Sequence, residues 1–151
     1  MSFDWSRGPL AEGLRHYNAA EYFAAHEAWE SIWLHAPQPE KLFLQALIQT
    51  TVALHHFSRN NLLGATRLLT AALHKLETYP PDFASIDVAL LRNDIRACLD
   101  SLTLTTSGSS EIVILSGVKN PRISAATNSP AASAATSNAQ LPAPRIYLLS
   151  Q

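Results

Sequence analysis

The sequence predicts an all-α protein, a small antiparallel bundle of about five helices followed by a mostly disordered C-terminal tail. Apolar residues recur at helical spacing through the first two thirds of its 151 residues. The segments between these periods are short, which favours antiparallel neighbours. Charge also thins out along the chain: residues 1–102 carry eight basic and eleven acidic side chains, and residues 103–151 carry four charges in all. We therefore predict a helical domain over 1–102 and a low-complexity tail over 103–151.

Proline and asparagine mark the boundaries of the predicted helices. Pro9 suits the first turn of the first helix, Asn60 or Asn61 can cap the fourth, and Pro80 with Pro81 breaks the chain before the fifth. The predicted helices are 9–18, 20–35, 40–58, 61–77 and a fifth that begins at Ser85 or Asp87 and ends near Leu102. The fifth shows strict helical spacing of its apolar residues, which are Val88, Leu91, Ile95, Cys98 and Leu102.

Beyond Leu102 the helical pattern stops. Residues 103–110 read as a polar linker, and residues 111–118 read as an isolated β-like segment. Residues 124–139 are almost entirely Ala, Ser and Thr, with too little apolar bulk to offset the entropy of ordering, so disorder is expected there. The apolar segment 146–149 is a candidate for docking on the bundle.

Composition excludes several classes of function. A net charge of −1 provides no basic field, so nucleic-acid binding is unlikely. The single cysteine, Cys98, cannot form an intramolecular disulfide or a thiolate zinc site. The longest apolar stretch, 42–57, is interrupted by glutamine, threonine and histidine, which is typical of a buried helix rather than a membrane span. Without a signal-peptide pattern at the N-terminus, we expect a cytoplasmic protein with no membrane association.

The second predicted helix carries polar residues on the same side as its aromatic ones. At about 100° per residue, one arc of roughly 120° holds both kinds. This arc contains Tyr22, Phe23, His26, Trp29, Glu30 and Trp33, with Glu27 at its edge. On the third helix, Gln45, Gln49 and His56 project in similar directions from an otherwise apolar sequence. A carboxylate buried without a partner is strongly disfavoured, so we predict a buried network of His, Glu and Gln between the two helices.

Two interpretations of this network stay open. In the structural one, the polar groups bond one another and fix the helix register, and replacing Glu30 or Gln49 by alanine removes about 1–3 kcal/mol. In the chemical one, His26 and Glu30 chelate a divalent metal as an i,i+4 pair. His56 or Glu27 would complete that site, and Glu27 or Glu30 could serve as a general base. The structural interpretation is favoured because ligand-type pairs on helices arise often by chance, and the string HEAWE lacks the second histidine of H-E-x-x-H.

Simpler roles are expected for two other features. The tryptophans Trp29 and Trp33 are more typical of a core than of a binding platform. Gly64 falls inside a helix, where glycine costs about 1 kcal/mol relative to alanine. Close helix packing is the favoured explanation for Gly64, and the approach of a ligand to the backbone is the alternative. His55 diverges from His56 by about 100° and is expected to be a packing or surface residue.

Three ordered motifs resemble the bacterial family called domain of unknown function 309. The first, Y-F-x-x-H-E-x-W-E-x-x-W, begins at Tyr22, and the second, F-L-Q-x-L-I-Q, begins at Phe43. The third joins the pair His55-His56 to R-x-N-x-x-G, which begins at Arg59. The resemblance covers roughly residues 11–102 and implies a small all-α domain with no agreed biochemical activity.

The chain departs from the family pattern at two positions. Ala46 and Asn60 both stand where the family usually has glycine, one at a helix-packing position and the other in a turn. The signature residues coincide with the polar cluster derived from helical angles. A family signature can record packing as readily as chemistry.

Two functions remain as hypotheses. Because no catalytic motif is complete, the first is a non-catalytic interaction or structural module that acts through a protein partner or by self-association. The second is a metal- or carboxylate-dependent enzyme that acts on a small molecule through His26, Glu27, Glu30 and His56. The sequence requires no cofactor, and a divalent metal fits only the second hypothesis.

Overall fold

The computed structural model describes residues 1–117 and 143–149, and of residues 105–117 it describes the helical backbone alone. Within this part of the chain, two short strands separate the fourth helix from the fifth. The elements are α1 Gly8–Asn18, α2 Tyr22–Trp33, α3 Glu40–Ser58, α4 Leu62–Leu76, β1 Asp82–Phe83, β2 Ile86–Asp87 and α5 Val88–Gly117. The predicted all-α class is confirmed, and the first four helices lie within two residues of their predicted bounds. No helix in the described ranges is long and apolar enough to cross a lipid bilayer.

Successive helices pack against one another, α1 on α2, α2 on α3, α3 on α4 and α4 on α5. Two bonds define the direction of α3 and α4. Asn61 contacts His56 close to the connecting turn, and Lys75 donates to Gln49 farther from it on both helices, so the pair is antiparallel. The core contains Trp29, Phe43, Leu44, Leu47, Leu69, Leu76, Leu91 and Ile95, all at most 1% exposed.

A glycine allows α1 and α2 to approach closely. A Cβ atom at Gly13 would lie 2.2 Å from Nε1 of Trp29, so the indole ring rests directly on the backbone of α1. The Nε1–H of Trp29 donates to the carbonyl of Leu10 at 3.2 Å, which satisfies the buried indole. The rings of Trp5 and Tyr17 pack around it. Trp29 is therefore a core residue, as its sequence context indicated.

The turn between α3 and α4 contains a compact capping arrangement. Oδ1 of Asn61 accepts from the backbone N–H of Gly64 at 2.9 Å, so Asn61 is the N-cap of α4. Nδ2 of the same side chain contacts Nδ1 of His56 at 3.0 Å. Asn60 has φ +59°, a conformation that asparagine tolerates better than most residues and that also suits the glycine of the pattern that the motifs resemble.

The explanation favoured for Gly64 is wrong. A Cβ atom there would meet the side chain of Asn61 at 2.6 Å, whereas no other helix supplies any of its three nearest atoms. The space next to Gly64 is taken by the capping amide of Asn61. The motif R-x-N-x-x-G thus lies at the start of α4, where the side chain of residue 61 is the cap and accepts from the N–H of residue 64.

The hairpin of β1 and β2 was not predicted from the sequence. Its strands have two residues each, and Ala84 and Ser85 between them have φ values of +54° and +61° without any glycine. Nε1 of Trp5 donates to the Ala84 carbonyl at 2.6 Å and so holds the turn against the bundle. Asp87 then caps α5 by accepting from the N–H of Leu90, which confirms one of the two predicted caps.

The fifth helix does not end near Leu102 as expected. It continues to Gly117, through the residues predicted as a polar linker and into those predicted as β-like. Serine and threonine are only mildly unfavourable in a helix, and the sequence has no proline between 88 and 117 to stop it. At the start of this extension, the hydroxyls of Ser101 and Thr103 donate to carbonyls of the preceding turn.

A second part of the predicted tail lies against the bundle. Residues 143–149, called the strap below, pair with β2 through an antiparallel bridge between Ile86 and Leu148. The N–H of Asp87 donates to the Tyr147 carbonyl, and the N–H of Leu149 donates to the Ser85 carbonyl, each at 2.9 Å. The segment 124–139, for which disorder was expected, falls outside the described residues.

Candidate functional site

The structure brings His26 and Glu30 together on α2. Nε2 of His26 lies 3.6 Å from Oε2 of Glu30, one helical turn away. The exposed fractions of the two side chains are 23% and 47%. Glu27, at the edge of the predicted arc, is exposed. The i,i+4 pair predicted from the sequence therefore exists, but at the surface of the bundle.

The predicted burial of the polar cluster is wrong. Of the nine predicted site residues, Trp29 alone is fully buried, while Tyr22, His26, Glu30, Trp33, Gln45, Gln49 and His56 are half-buried. The physical reason is the position of α2, which packs on α1 and α3 and leaves one side to solvent. Glu30 can meet water on that side, so it does not need a buried partner.

The hydrogen bonds of the polar side chains on α3 lead toward α4 and not toward α2. Oε1 of Gln49 accepts from Nζ of Lys75 at 3.1 Å, which links α3 to α4. His56 is engaged with the capping residue Asn61. Gln45 has no side-chain hydrogen bond to any residue in the described part of the chain. His26, Glu30, Gln45, Gln49 and His56 thus do not form one hydrogen-bonded network within the described ranges.

The same geometry bears on the metal hypothesis. Over residues 1–104 and 143–149, whose side chains are described, no group of three or more His, Cys, Asp or Glu is placed to hold a metal ion. His26 and Glu30 offer two ligand-type side chains. The predicted third ligand, His56, turns its Nδ1 to the turn before α4. The pair by itself supplies an incomplete coordination sphere.

Two aromatic residues of the predicted site have partners of their own. The ammonium of Lys41 lies 5.0 Å from the ring centroid of Trp33, a cation–π arrangement. Tyr22 packs edge-on against Tyr17, and burial raises the pKa of the Tyr22 phenol. Nε1 of Trp33 and Nδ1 of His26 are buried atoms with no hydrogen-bond partner among the described residues. These two atoms are the unsatisfied polar groups of the region.

The structure adds a surface that the predicted site did not include. Phe23 is 57% exposed, and its ring centroid lies 5.9 Å from the rings of both His26 and His55. We call Phe23, His26, Glu30 and His55 the Phe23 face. The pairing of Phe23 with His55 depends on how α2 and α3 meet. The available signals were the position of Phe23 at the outer end of the arc and the histidine pair His55-His56 in a separate motif.

Comparisons with known proteins agree with the motifs. The model of a family described as "Domain of unknown function (DUF309)" matches residues 10–68. A relative from Aquifex aeolicus (strain VF5), named "Uncharacterized protein", is 28% identical over 94 residues. The aligned region is 62% of this chain and 27% of the relative, so the chain spans little more than a quarter of that protein's length. The resemblance that the motifs indicated is confirmed over residues 10–68, the segment that the family model matches.

Proposed function

We propose that this domain is a non-catalytic interaction module that binds a partner protein in the cytoplasm through the Phe23 face. The observation that carries the proposal is the exposure of Phe23 between two histidines of neighbouring helices. An aromatic side chain of this kind contributes much contact area at low entropic cost, and aromatic residues are enriched at protein interfaces.

The surroundings of Phe23 fit an interface. Among the large apolar side chains that are exposed in the described ranges, Phe23 is the one aromatic. Glu30 and the two histidines place polar groups beside it, which resembles the polar rim around an apolar contact.

Site-specific photo-crosslinking tests this proposal in the source organism. A benzophenone amino acid replaces Phe23 in one strain and Leu104 in a control strain, since Leu104 is 75% exposed on α5. We expect a discrete covalent adduct from position 23 and none from position 104. The variant Phe23→Asp should keep the helical circular dichroism of the parent, because the side chain is largely exposed. Once the partner has been identified from the covalent adduct, Phe23→Asp should fail to bind it in a binding assay.

The oligomeric state provides the second measurement. If self-association uses the face, light scattering shows a mass that rises with protein concentration, and Phe23→Asp abolishes the rise whereas Leu104→Asp does not. A constant monomer mass, together with adducts no stronger at position 23 than at position 104, counts against an interaction role for this surface.

The second hypothesis, a metal- or carboxylate-dependent enzyme, has one observation in its favour. His26 and Glu30 form a partly exposed i,i+4 pair at 3.6 Å, and a partner or substrate could complete a coordination sphere around it. Elemental analysis of untagged protein discriminates between the two functions. If the protein contains stoichiometric metal and Glu30→Gln loses it with the fold unchanged, the result would favour the enzyme hypothesis.

A further inference from the structure

The strap is held in a groove formed by three separate elements. Tyr17 of α1 donates its hydroxyl to the Pro144 carbonyl, and the carboxylate of Asp94 on α5 accepts from the N–H of Arg145 at 2.9 Å. Residues 85–87 add the two backbone bonds of the antiparallel bridge. All four bonds reach the main chain of the strap. The groove therefore recognises an extended backbone through contacts that do not depend on side-chain identity.

Side chains give this recognition its chemical preference. Pro144 is buried, and Ile146, two residues along, packs against the hydrophobic core. Arg145 between them is exposed, as the alternation of an extended segment requires. The matching ligand is an extended segment with a proline followed at a spacing of two by a branched apolar residue.

The groove is fixed by contacts that do not involve the strap. Trp5 holds the hairpin turn, and Asp87 caps α5 by accepting from Leu90. Asp94 belongs to the first half of α5, whose neighbouring residues Leu91 and Ile95 are fully buried. These elements would keep their places if the strap left the groove.

Open clefts border the docked strap. One of about 400 Å³ lies between Tyr17, Tyr22 and the strap residues 143–147. A second of about 230 Å³ lies between the strap and Asp94 with Ala97. Bulkier side chains at the same backbone positions would have room there for contacts that the strap does not make.

We propose that this groove is a peptide-binding site, which takes an extended apolar segment of a partner protein as an added strand beside β2, and that the strap is its intramolecular competitor. This site is separate from the Phe23 face. The outcome of one proposal leaves the other unaffected.

Tethering sets the expected competition. The strap belongs to the same chain as the groove, and a ligand joined covalently to its site competes with an effective concentration on the order of 1 mM. A free peptide of the strap sequence therefore binds the unaltered chain about 10- to 100-fold more weakly than a chain whose strap cannot dock, provided that the intrinsic Kd is about 10–100 μM.

The test uses the full chain with an altered strap and an intact groove. Ile146→Asp places a charge at the core-facing position, and Arg145→Pro independently removes the N–H that Asp94 accepts. A fluorescent peptide of residues 143–149, acetylated at its N-terminus, is titrated into each variant and into the unaltered chain. We expect the peptide to bind the two variants about 10- to 100-fold more tightly than the unaltered chain. Adding Tyr17→Phe to Ile146→Asp should then weaken the binding about fivefold.

Two methylated peptides test the added-strand geometry. The N–H of Leu149 donates to Ser85, whereas the N–H of Leu148 makes no hydrogen bond within the described part of the chain. N-methylation at Leu149 should weaken binding at least tenfold, and N-methylation at Leu148 should change it less than twofold. The proposal would be overturned if the two methylated peptides had equal effects, or if the unmodified peptide bound to neither folded variant. Unfolding of both variants would also overturn it, because the strap would then be part of the fold.

Discussion

Replacing Gly13 by alanine tests the close contact between α1 and α2. The substitution adds one methyl group to α1 at the point where Trp29 lies on its backbone. At an unobstructed helical position the same change stabilises a protein by about 1 kcal/mol, because alanine has the higher helix propensity. The contact seen here predicts the opposite sign.

The distances give the magnitude. The new carbon would lie 2.2, 2.4 and 2.7 Å from Nε1, Cδ1 and Cε2 of Trp29, whereas carbon atoms in favourable contact are about 3.5–4.0 Å apart. The indole must therefore move by more than about 1 Å. It is 0% exposed and enclosed by Trp5 and Tyr17, so overpacking costs about 1–3 kcal/mol.

The movement also disturbs a hydrogen bond. The Nε1–H of Trp29 donates to the Leu10 carbonyl at 3.2 Å, and a displaced ring leaves both groups buried. Losing this bond costs about 1 kcal/mol. After the gain in helix propensity is subtracted, Gly13→Ala should lower the free energy of unfolding by about 1–3 kcal/mol.

Urea unfolding, followed by circular dichroism at 222 nm, measures this free energy. A double-mutant cycle with Trp29→Leu assigns the effect to the contact, because the smaller side chain removes the indole atoms nearest to position 13. In the Trp29→Leu background the penalty of Gly13→Ala should fall below about 1 kcal/mol or change sign. If Gly13→Ala stabilises the parent protein by about 1 kcal/mol, the close approach of α1 and α2 is refuted.

Three further predictions follow from other contacts. Asn61→Ala removes the cap of α4 and should lower the free energy of unfolding in urea by about 1 kcal/mol. Asn60→Gly, at a position with φ +59°, should change it by no more than about 0.5 kcal/mol. Equal losses in the two variants would contradict the capping assignment. Glu30→Ala should cost less than about 1 kcal/mol, because the carboxylate is 47% exposed beside His26, and a larger loss would restore the buried network. Burial raises the pKa of the Cys98 thiol from 9.0 to about 11. The thiol therefore ionises at lower pH in the unfolded chain than in the folded one. The free energy of unfolding should fall more steeply from pH 9 to 11 in the parent than in Cys98→Ala, and equal slopes would disprove this prediction.

Periodicity and proline were enough to predict α1 to α4. Each of these helices has an apolar face at helical spacing and a boundary residue with a local reason to stop or start a helix, as Asn61 does for α4. The end of α5 could not be predicted in this way. Its extension to Gly117 uses residues of intermediate propensity and also Gly108, whose propensity is low, but propensity is a weak signal when no proline intervenes.

The hairpin and the strap contacts depend on residues far apart in the sequence. Trp5 holds Ala84, and Tyr17 bonds Pro144, at separations of 79 and 127 residues. A two-residue strand has no periodicity to detect, and the left-handed turn residues Ala84 and Ser85 are not the glycine or asparagine that usually signal such a turn. The apolar pattern of 146–149 indicated a docking segment but not its position.

Helical angles placed the candidate site residues on the correct side of α2 but could not decide how deep that side lies. The arc that holds His26 and Glu30 also holds Trp29, which is fully buried. Residues on one side of α2 therefore differ widely in exposure within a single helical turn. Depth is set by the neighbouring helices, and α2 has neighbours on part of its circumference only.

The separation of roles within the motifs now bears on function. Trp29 seats α2 on Gly13, and Asn61 with Gly64 starts α4, so these signature residues are explained by folding. No packing or capping role of this kind accounts for Phe23, which is exposed beside His26. The partner contact proposed above would give this exposed aromatic side chain a role that the fold does not supply. Under that proposal the structural and functional roles within the motifs belong to different residues, and Phe23→Asp, which should leave stability unchanged, separates them.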